Sequence, residues 1–164
     1  MKIHHALQFA CLLFSLPALA DDLSPRQSFD RLNYCIQNHS LPECRMHVTA
    51  SSVEIYDRFA SYDLARCLPK SAAYVSAKTT GDRSLIRAST GEPDNKRYMR
   101  LVFSEEEGQW KFDLPESLRI GMGENWHKQL NASEQIYLMM KSQFGGRLNC
   151  DALQSLVKPK LAQR

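Results

Sequence analysis

Lys96-Arg97-Tyr98-Met99-Arg100-Leu101-Val102-Phe103-Ser104-Glu105-Glu106-Glu107-Gly108-Gln109-Trp110-Lys111-Phe112-Asp113-Leu114 alternates in character up to Phe103, breaks at an acidic run closed by glycine, and alternates again. Arg97, Met99, Leu101 and Phe103 fall on one side of an extended chain, with Tyr98, Arg100 and Val102 on the other. After the break, Trp110, Phe112 and Leu114 share a face. A period of two predicts a pair of half-buried strands, and residues 104–108 between them predict a turn. Residues 73–79 and 84–89 have the same strand character, and Gly81-Asp82 between them is a hairpin signal. Residues 91–95 form a second turn by composition, and Leu118, Ile120 and Met122 predict a last short strand.

On the N-terminal side the period changes to that of a helix. Ser24, Pro25 and Gln27 make a helix start, with serine as cap, proline in the first turn and glutamine three residues beyond the cap. Phe29, Leu32 and Ile36 then share a face, so a helix is expected over 25–37. Ser40 with Glu43 repeats the pattern for a short helix over 42–47, and Ser51 with Glu54 opens a third. Leu64, Cys67 and Leu68 form one more turn before Pro69. Beyond the strands, Asn131 with Glu134 predicts a helix whose stripe is Ile136, Met139, Met140 and Phe144, ended by Gly145-Gly146. A last helix follows Asn149, bearing Cys150, Leu153, Leu156 and Val157. The expected class is therefore α+β: N-terminal helices packed on a curved antiparallel meander, followed by a C-terminal helical extension from about residue 123.

The first twenty residues have a different character. Lys2 heads an apolar run over 6–16, Pro17 breaks it, and Ala18-Leu19-Ala20 precedes Asp21-Asp22. That three-part pattern predicts a cleaved signal peptide over 1–20 and export to the periplasm. A membrane anchor would need about 20 apolar residues. Cys11 is poorly placed for lipidation, because Gln8 and Phe9 precede it. The chain from residue 21 onward is one domain's worth of sequence. Net charge is +3 and 43% of residues are hydrophobic, which excludes a disordered chain and gives no bulk-charge argument for nucleic acid.

Four cysteines remain: Cys35, Cys44, Cys67 and Cys150. In an oxidising compartment they predict two disulfides, with three connectivities open. Cys35–Cys44 and Cys67–Cys150 are favoured, the first because a nine-residue separation suits a local clasp between a helix and a loop. No paired Cys-x-x-Cys or clustered histidine supports zinc, so neither a metal nor another cofactor is expected.

Helices first, then a meander whose late strands read 101–112 with an acidic-glycine turn leading into Trp110-Lys111-Phe112, resemble the nuclear-transport-factor-2-like superfamily. The resemblance covers roughly residues 25–114, and the helical tail from Gly123 departs from it. It implies a sheet wrapping helices into a cone. Its members include isomerases, dehydratases, small-molecule carriers and protein-binding domains such as immunity proteins, so the residues must decide.

For catalysis the residues offer little. His39, His47 and His127 stand apart, and no metalloprotease, phosphate-loop or nucleophile-elbow motif is present. Asp63, Asp113 and Glu124 are candidates for a buried base of the isomerase kind, but Asp113 alternates away from the buried strand face and Asp63 fits a turn. Glu105, Glu106 and Glu107 read as a solvated turn, and Gly121-Met122-Gly123 is too short a pattern for phosphate. The balance leans away from an enzyme. For binding there is more: Lys78, Arg83, Arg87, Lys96, Arg97, Arg100 and Lys111 lie on or near the strands, with Tyr74 and Tyr98 among them. Exposed strands are commonly protected by cations in just this way. Arginine with tyrosine also suits a protein interface, for which Arg87, Arg97, Tyr98 and Arg100 are the expected contacts. The expectation is a non-catalytic periplasmic domain that binds another protein, most specifically an immunity-type inhibitor of a toxin or enzyme. The alternative is a cone pocket for a small apolar molecule, with or without isomerase- or dehydratase-like chemistry.

Overall fold

The computed structural model describes residues 23–61, 72–91 and 93–143. Helix α1 (Pro25–Asn38) starts as expected: the Gln27 amide donates to Ser24 Oγ at 3.3 Å, and the Ser24 amide donates to Gln27 Oε1 at 2.8 Å. Its buried side chains, Ser28, Phe29, Leu32 and Cys35, recur every three or four residues. A 3₁₀ helix (Leu41–His47) follows, opened by the Ser40–Glu43 box, and a second (Ala50–Ser52) runs into α2 (Val53–Ser61). Tyr56 of α2 donates its hydroxyl to the Leu41 carbonyl at 2.8 Å, and burial pushes its phenol up to about 12. The disulfide Cys35–Cys44 closes the turn between α1 and the first 3₁₀ helix. Cys67, Cys150, the leader and the helices expected around Leu64 and after Asn149 lie outside the described residues.

The sheet is a four-stranded antiparallel meander in chain order: β1 (Ala73–Thr80), β2 (Arg83–Thr90), β3 (Arg97–Glu106) and β4 (Gln109–Asp113). The turn between β3 and β4 is only Glu107-Gly108, both at positive φ (54° and 75°), the geometry whose twist matches a hairpin. The acidic run is therefore mostly strand rather than loop. Glu106 accepts from the Ala50 amide and lies 3.8 Å from Lys111, so it braces the sheet instead of merely meeting solvent.

Register separates the two faces. Ser84, Ile86, Ala88, Leu101, Phe103 and Phe112 look toward α1. Ile86, Ala88 and Phe103 are fully buried, and Phe29 of α1 meets both Phe103 and Tyr74. Met99, Leu101, Trp110 and Leu114 pack around this core, as the alternation predicts.

The expected strand at Leu118, Ile120 and Met122 is instead helix α3 (Leu114–Met122). Asp113 caps it by accepting from the Glu116 amide at 3.0 Å, and Pro115 sits in its first turn. These start signals outweigh a short run of alternating apolar residues. The helix also supplies Ser117, whose hydroxyl donates to the Asp113 carbonyl and accepts from the Val102 amide at 2.8 Å. Val102 is buried on the sheet face opposite the main core, where α3 packs on β3.

Helix α4 (Trp126–Gln143) likewise differs from its expected form. It does not begin at Asn131. Gly123 reverses the chain at φ +84°, and the Asn125 carbonyl accepts from the Lys128 and Gln129 amides to open the helix. Asn131 Oδ1 instead accepts from Arg58 of α2 at 3.3 Å, and Arg58 also pairs with Glu134. Among the described side chains of α4 the buried ones are Trp126, Leu130 and Tyr137, whereas Ile136 and Met139 are exposed and the side chain of Met140 lies outside those described. Counting aliphatic residues chose the wrong side, because two large aromatics determine which side turns inward. Phe144 lies outside the described residues.

Ser52 joins these parts. It is fully buried, donates to the Phe112 carbonyl at 3.2 Å and accepts from the Leu114 amide at 2.9 Å, where β4 becomes α3. Ser52→Ala leaves the Leu114 amide without that acceptor and is expected to cost about 1–3 kcal/mol. The exposed neighbour change Ser51→Ala is expected within about 0.5 kcal/mol of neutral. Urea unfolding of both variants checks this, and equal losses would remove Ser52 as the brace.

Candidate interaction face

The half of the outer sheet face away from α3 is open. Across it the register aligns Ser76 of β1, Arg87 of β2 and Arg100 of β3 in one row. The neighbouring pairs are Ser89 with Tyr98 on one side and Lys78 with Leu85 on the other. Arg87 and Arg100 are exposed, as are Tyr98 at 56% and Leu85 at 36%. The Arg87 guanidinium carbon stands 4.2 Å from the centre of the Tyr98 ring, close enough for a cation–π contact.

The four residues expected to form an interface do not all share this face. Arg87, Tyr98 and Arg100 come together, but Arg97 pairs in register with Thr90 and belongs to the opposite side. The alternation of β3 already separates Arg97 from Tyr98 and Arg100. Tyr74 is also not part of the patch: it packs on Phe29 toward the core, with Arg26 covering its ring at 4.9 Å. Of the other strand cations, Arg83 reaches Glu116 at 3.5 Å and Lys111 reaches Glu106. Lys78, Arg87 and Arg100 make no ion pair with another described residue. Ser76, Lys78 and Leu85 complete the patch; the sequence signal for them was strand pairing across Gly81-Asp82, which sets 78 opposite 85.

The acid–base candidates have structural partners. Asp113 accepts from the Glu116 amide and from Ser104 Oγ, both at 3.0 Å. Glu124 pairs with Arg119 at 2.8 Å, while Asp63 lies outside the described residues. His127 stacks on Trp126, and His39 lies 4.0 Å from Glu43. His47 is held below its ordinary value, first by burial and then by Arg31. Glu43 is held low by the Ser40 hydroxyl and amide of its box. Among the described residues no three His, Cys, Asp or Glu side chains gather as metal ligands, and no helix is long and apolar enough to cross a membrane.

A second surface feature lies on the far side of α1. An open groove of about 680 Å³ runs between α1 and the first 3₁₀ helix, bordered by Tyr34, His39, Glu43, Met46 and His47. Tyr34 and Met46 are 64% and 72% exposed. Sequence reading missed it, although Tyr34 stands off the apolar stripe of α1. Comparison with protein-family models, with curated proteins and with solved structures gives no match for this chain.

Proposed function

We propose that this chain is a non-catalytic, exported domain that binds another protein through its open sheet face, most specifically as an immunity-type inhibitor of a toxin or enzyme in the periplasm. The observation that carries the reading is the exposed Arg87–Tyr98–Arg100 cluster, which has no carboxylate of its own chain in ion-pair range among the described residues. A cluster of this composition is suited to an acidic partner, because arginine and tyrosine dominate binding energy in interface centres. The expected leader and the Cys35–Cys44 bond agree with an oxidising compartment outside the cytoplasm. Helices followed by a meander, with α1 on one sheet face, support the likeness to nuclear-transport-factor-2-like domains, within which protein-binding members occur. Protein docking takes precedence over a cone pocket because the space between α1 and the sheet is filled by Phe29, Leu32, Ile86 and Phe103.

The test is a matched capture. Wild-type chain and the Arg87→Glu, Arg100→Glu double variant are immobilised and exposed to the same periplasmic extract. A protein held by the first and released by the second is the expected result, with the melting temperature of the variant barely changed, since both sites are exposed. The retained protein should then lose its own activity when wild-type chain is added in equal amount. Equal retention by the two baits overturns this face as the interface.

A further inference from the structure

We infer that Arg87 and Arg100 form a two-guanidinium clamp for a carboxylate on an acidic segment of the partner protein, with Tyr98 as the plate that orients Arg87. The inference rests on the docking reading above and names the group that the face recognises.

The register is the first observation. Arg87 stands directly opposite Arg100, so their Cβ atoms are about 4.5–5.5 Å apart. Like charges in that position weaken strand pairing. The second observation is how the chain treats its other arginines. Arg26, Arg45, Arg58, Arg83 and Arg119 each have a carboxylate within ion-pair range: Asp30, Asp57, Glu134, Glu116, and Glu116 with Glu124 respectively, whereas the exposed Arg97 on the other face has none among the described residues and no arginine opposite it. Arg87 and Arg100, by contrast, face one another with no such neighbour among the described residues. An incoming carboxylate would relieve the repulsion by accepting from both.

The third observation is geometric. The Arg87 guanidinium carbon lies 4.2 Å from the centre of the Tyr98 ring, so the ring fixes where that cation stands. The donors of a guanidinium form a planar fork, and no carboxylate among the described residues takes those of Arg87, so they can meet a planar, bidentate acceptor. Ser76 continues the row on β1 and offers a hydroxyl next to Arg87. Leu85 and Tyr98 flank the row with exposed apolar surface. That surface is suited to a protein segment laid across the strands more than to a polyanion, whose affinity would need many spread cations. A second copy of the chain would bring the same cations against themselves.

The experiment uses the full exported chain with its disulfide intact. The probe is a blocked hexapeptide of alternating glutamate and valine, with its glutamine counterpart and inorganic phosphate as comparators. Side-chain Nε–H resonances of Arg87 and Arg100 are followed by NMR. The expected result is that the glutamate peptide shifts both, the glutamine peptide shifts neither, and phosphate does so only at higher concentration. Arg87→Lys and Arg100→Lys retain charge but lose the fork, and each is expected to weaken peptide binding about tenfold with unchanged melting. Phosphate that binds as tightly as the glutamate peptide would overturn the carboxylate assignment. Lysine variants that bind like wild type would overturn the clamp and leave plain charge attraction. Either outcome leaves the docking reading standing if the double glutamate variant still loses its captured partner. Failure of that capture test is the separate result that removes both.

Discussion

Phe103→Ala is expected to cost this fold about 3–5 kcal/mol, the range for a buried phenylalanine whose site does not collapse. Phe103 has no exposed surface and stands on β3 where three elements meet. Its ring lies 6.4 Å from Phe29 of α1 and 5.7 Å from Phe112 of β4. Truncation therefore removes apolar burial and two aromatic contacts together, and backbone pairing on both sides prevents the strand from closing the gap. A domain of this size commonly has about 5–15 kcal/mol in total, so the loss would be a large share. Phe103→Leu is the graded companion and should cost less than half as much, because it refills most of the volume. Leu85→Ala, on the exposed outer face of the adjacent strand, should stay within about 1 kcal/mol. Guanidinium unfolding of the three variants gives the comparison. If Phe103→Ala and Leu85→Ala had equal effects, the assignment of inner and outer faces would be wrong.

That assignment was legible in the sequence wherever one side of a strand is buried and the other is wet. Met99, Leu101 and Phe103 against Tyr98 and Arg100 shows the principle: a one-residue slip would turn every side chain over, so burial itself enforces the register. The Ser24–Gln27 and Ser40–Glu43 boxes were legible for a different reason. Capping is local chemistry between residues three apart, and it needs no tertiary partner.

The C-terminal elements were less legible because their buried residues, Leu130 apart, are polar or aromatic rather than aliphatic. Ser117 and Ser52 hold α3 through hydrogen bonds to strand backbone, and no hydrophobic pattern announces them. Leu118, Ile120 and Met122 alternate by composition alone, while Asp113 and Pro115 carried the helix start. In α4 the aromatics Trp126 and Tyr137 turn inward, and Arg58 from a distant helix reaches Glu134 and Asn131, a contact that no local pattern announces. For the interaction face, alternation placed Tyr98 with Arg100 and set Arg97 apart. It could not reveal that Arg83 pairs with Glu116, because that contact forms only when the sheet and α3 come together, whereas Lys111 with Glu106 is a diagonal pair within the β3–β4 hairpin.

Reduction of Cys35–Cys44 is expected to lower stability by about 2.5–3 kcal/mol, from the chain entropy that a nine-residue separation removes from the unfolded state. The bond ties the last turn of α1 to the first 3₁₀ helix, with the Cα atoms 5.7 Å apart and both cysteines buried in the main core. The Ser40–Glu43 box lies inside the closed loop, where the Ser40 amide donates to Glu43 at 2.7 Å, so the turn retains a local restraint after reduction. The expected consequence is a weakened domain that keeps its native arrangement, not a collapsed one. Unfolding midpoints with and without reductant, together with peptide mapping of the linked 35–44 fragment, provide the check. The Cys35→Ala, Cys44→Ala variant should fall at least as far as the reduced chain, since it also removes two buried sulfur atoms. Equal midpoints for oxidised and reduced protein would show that the bond contributes nothing to stability. Cys44 has no exposed surface and shares the core with Phe29 and Leu41, while Cys35 borders the open groove beside α1, so attack at Cys44 requires that core to open. The reduction rate should therefore rise with Phe103→Leu, which weakens the same core, and remain unchanged with Leu85→Ala, which does not.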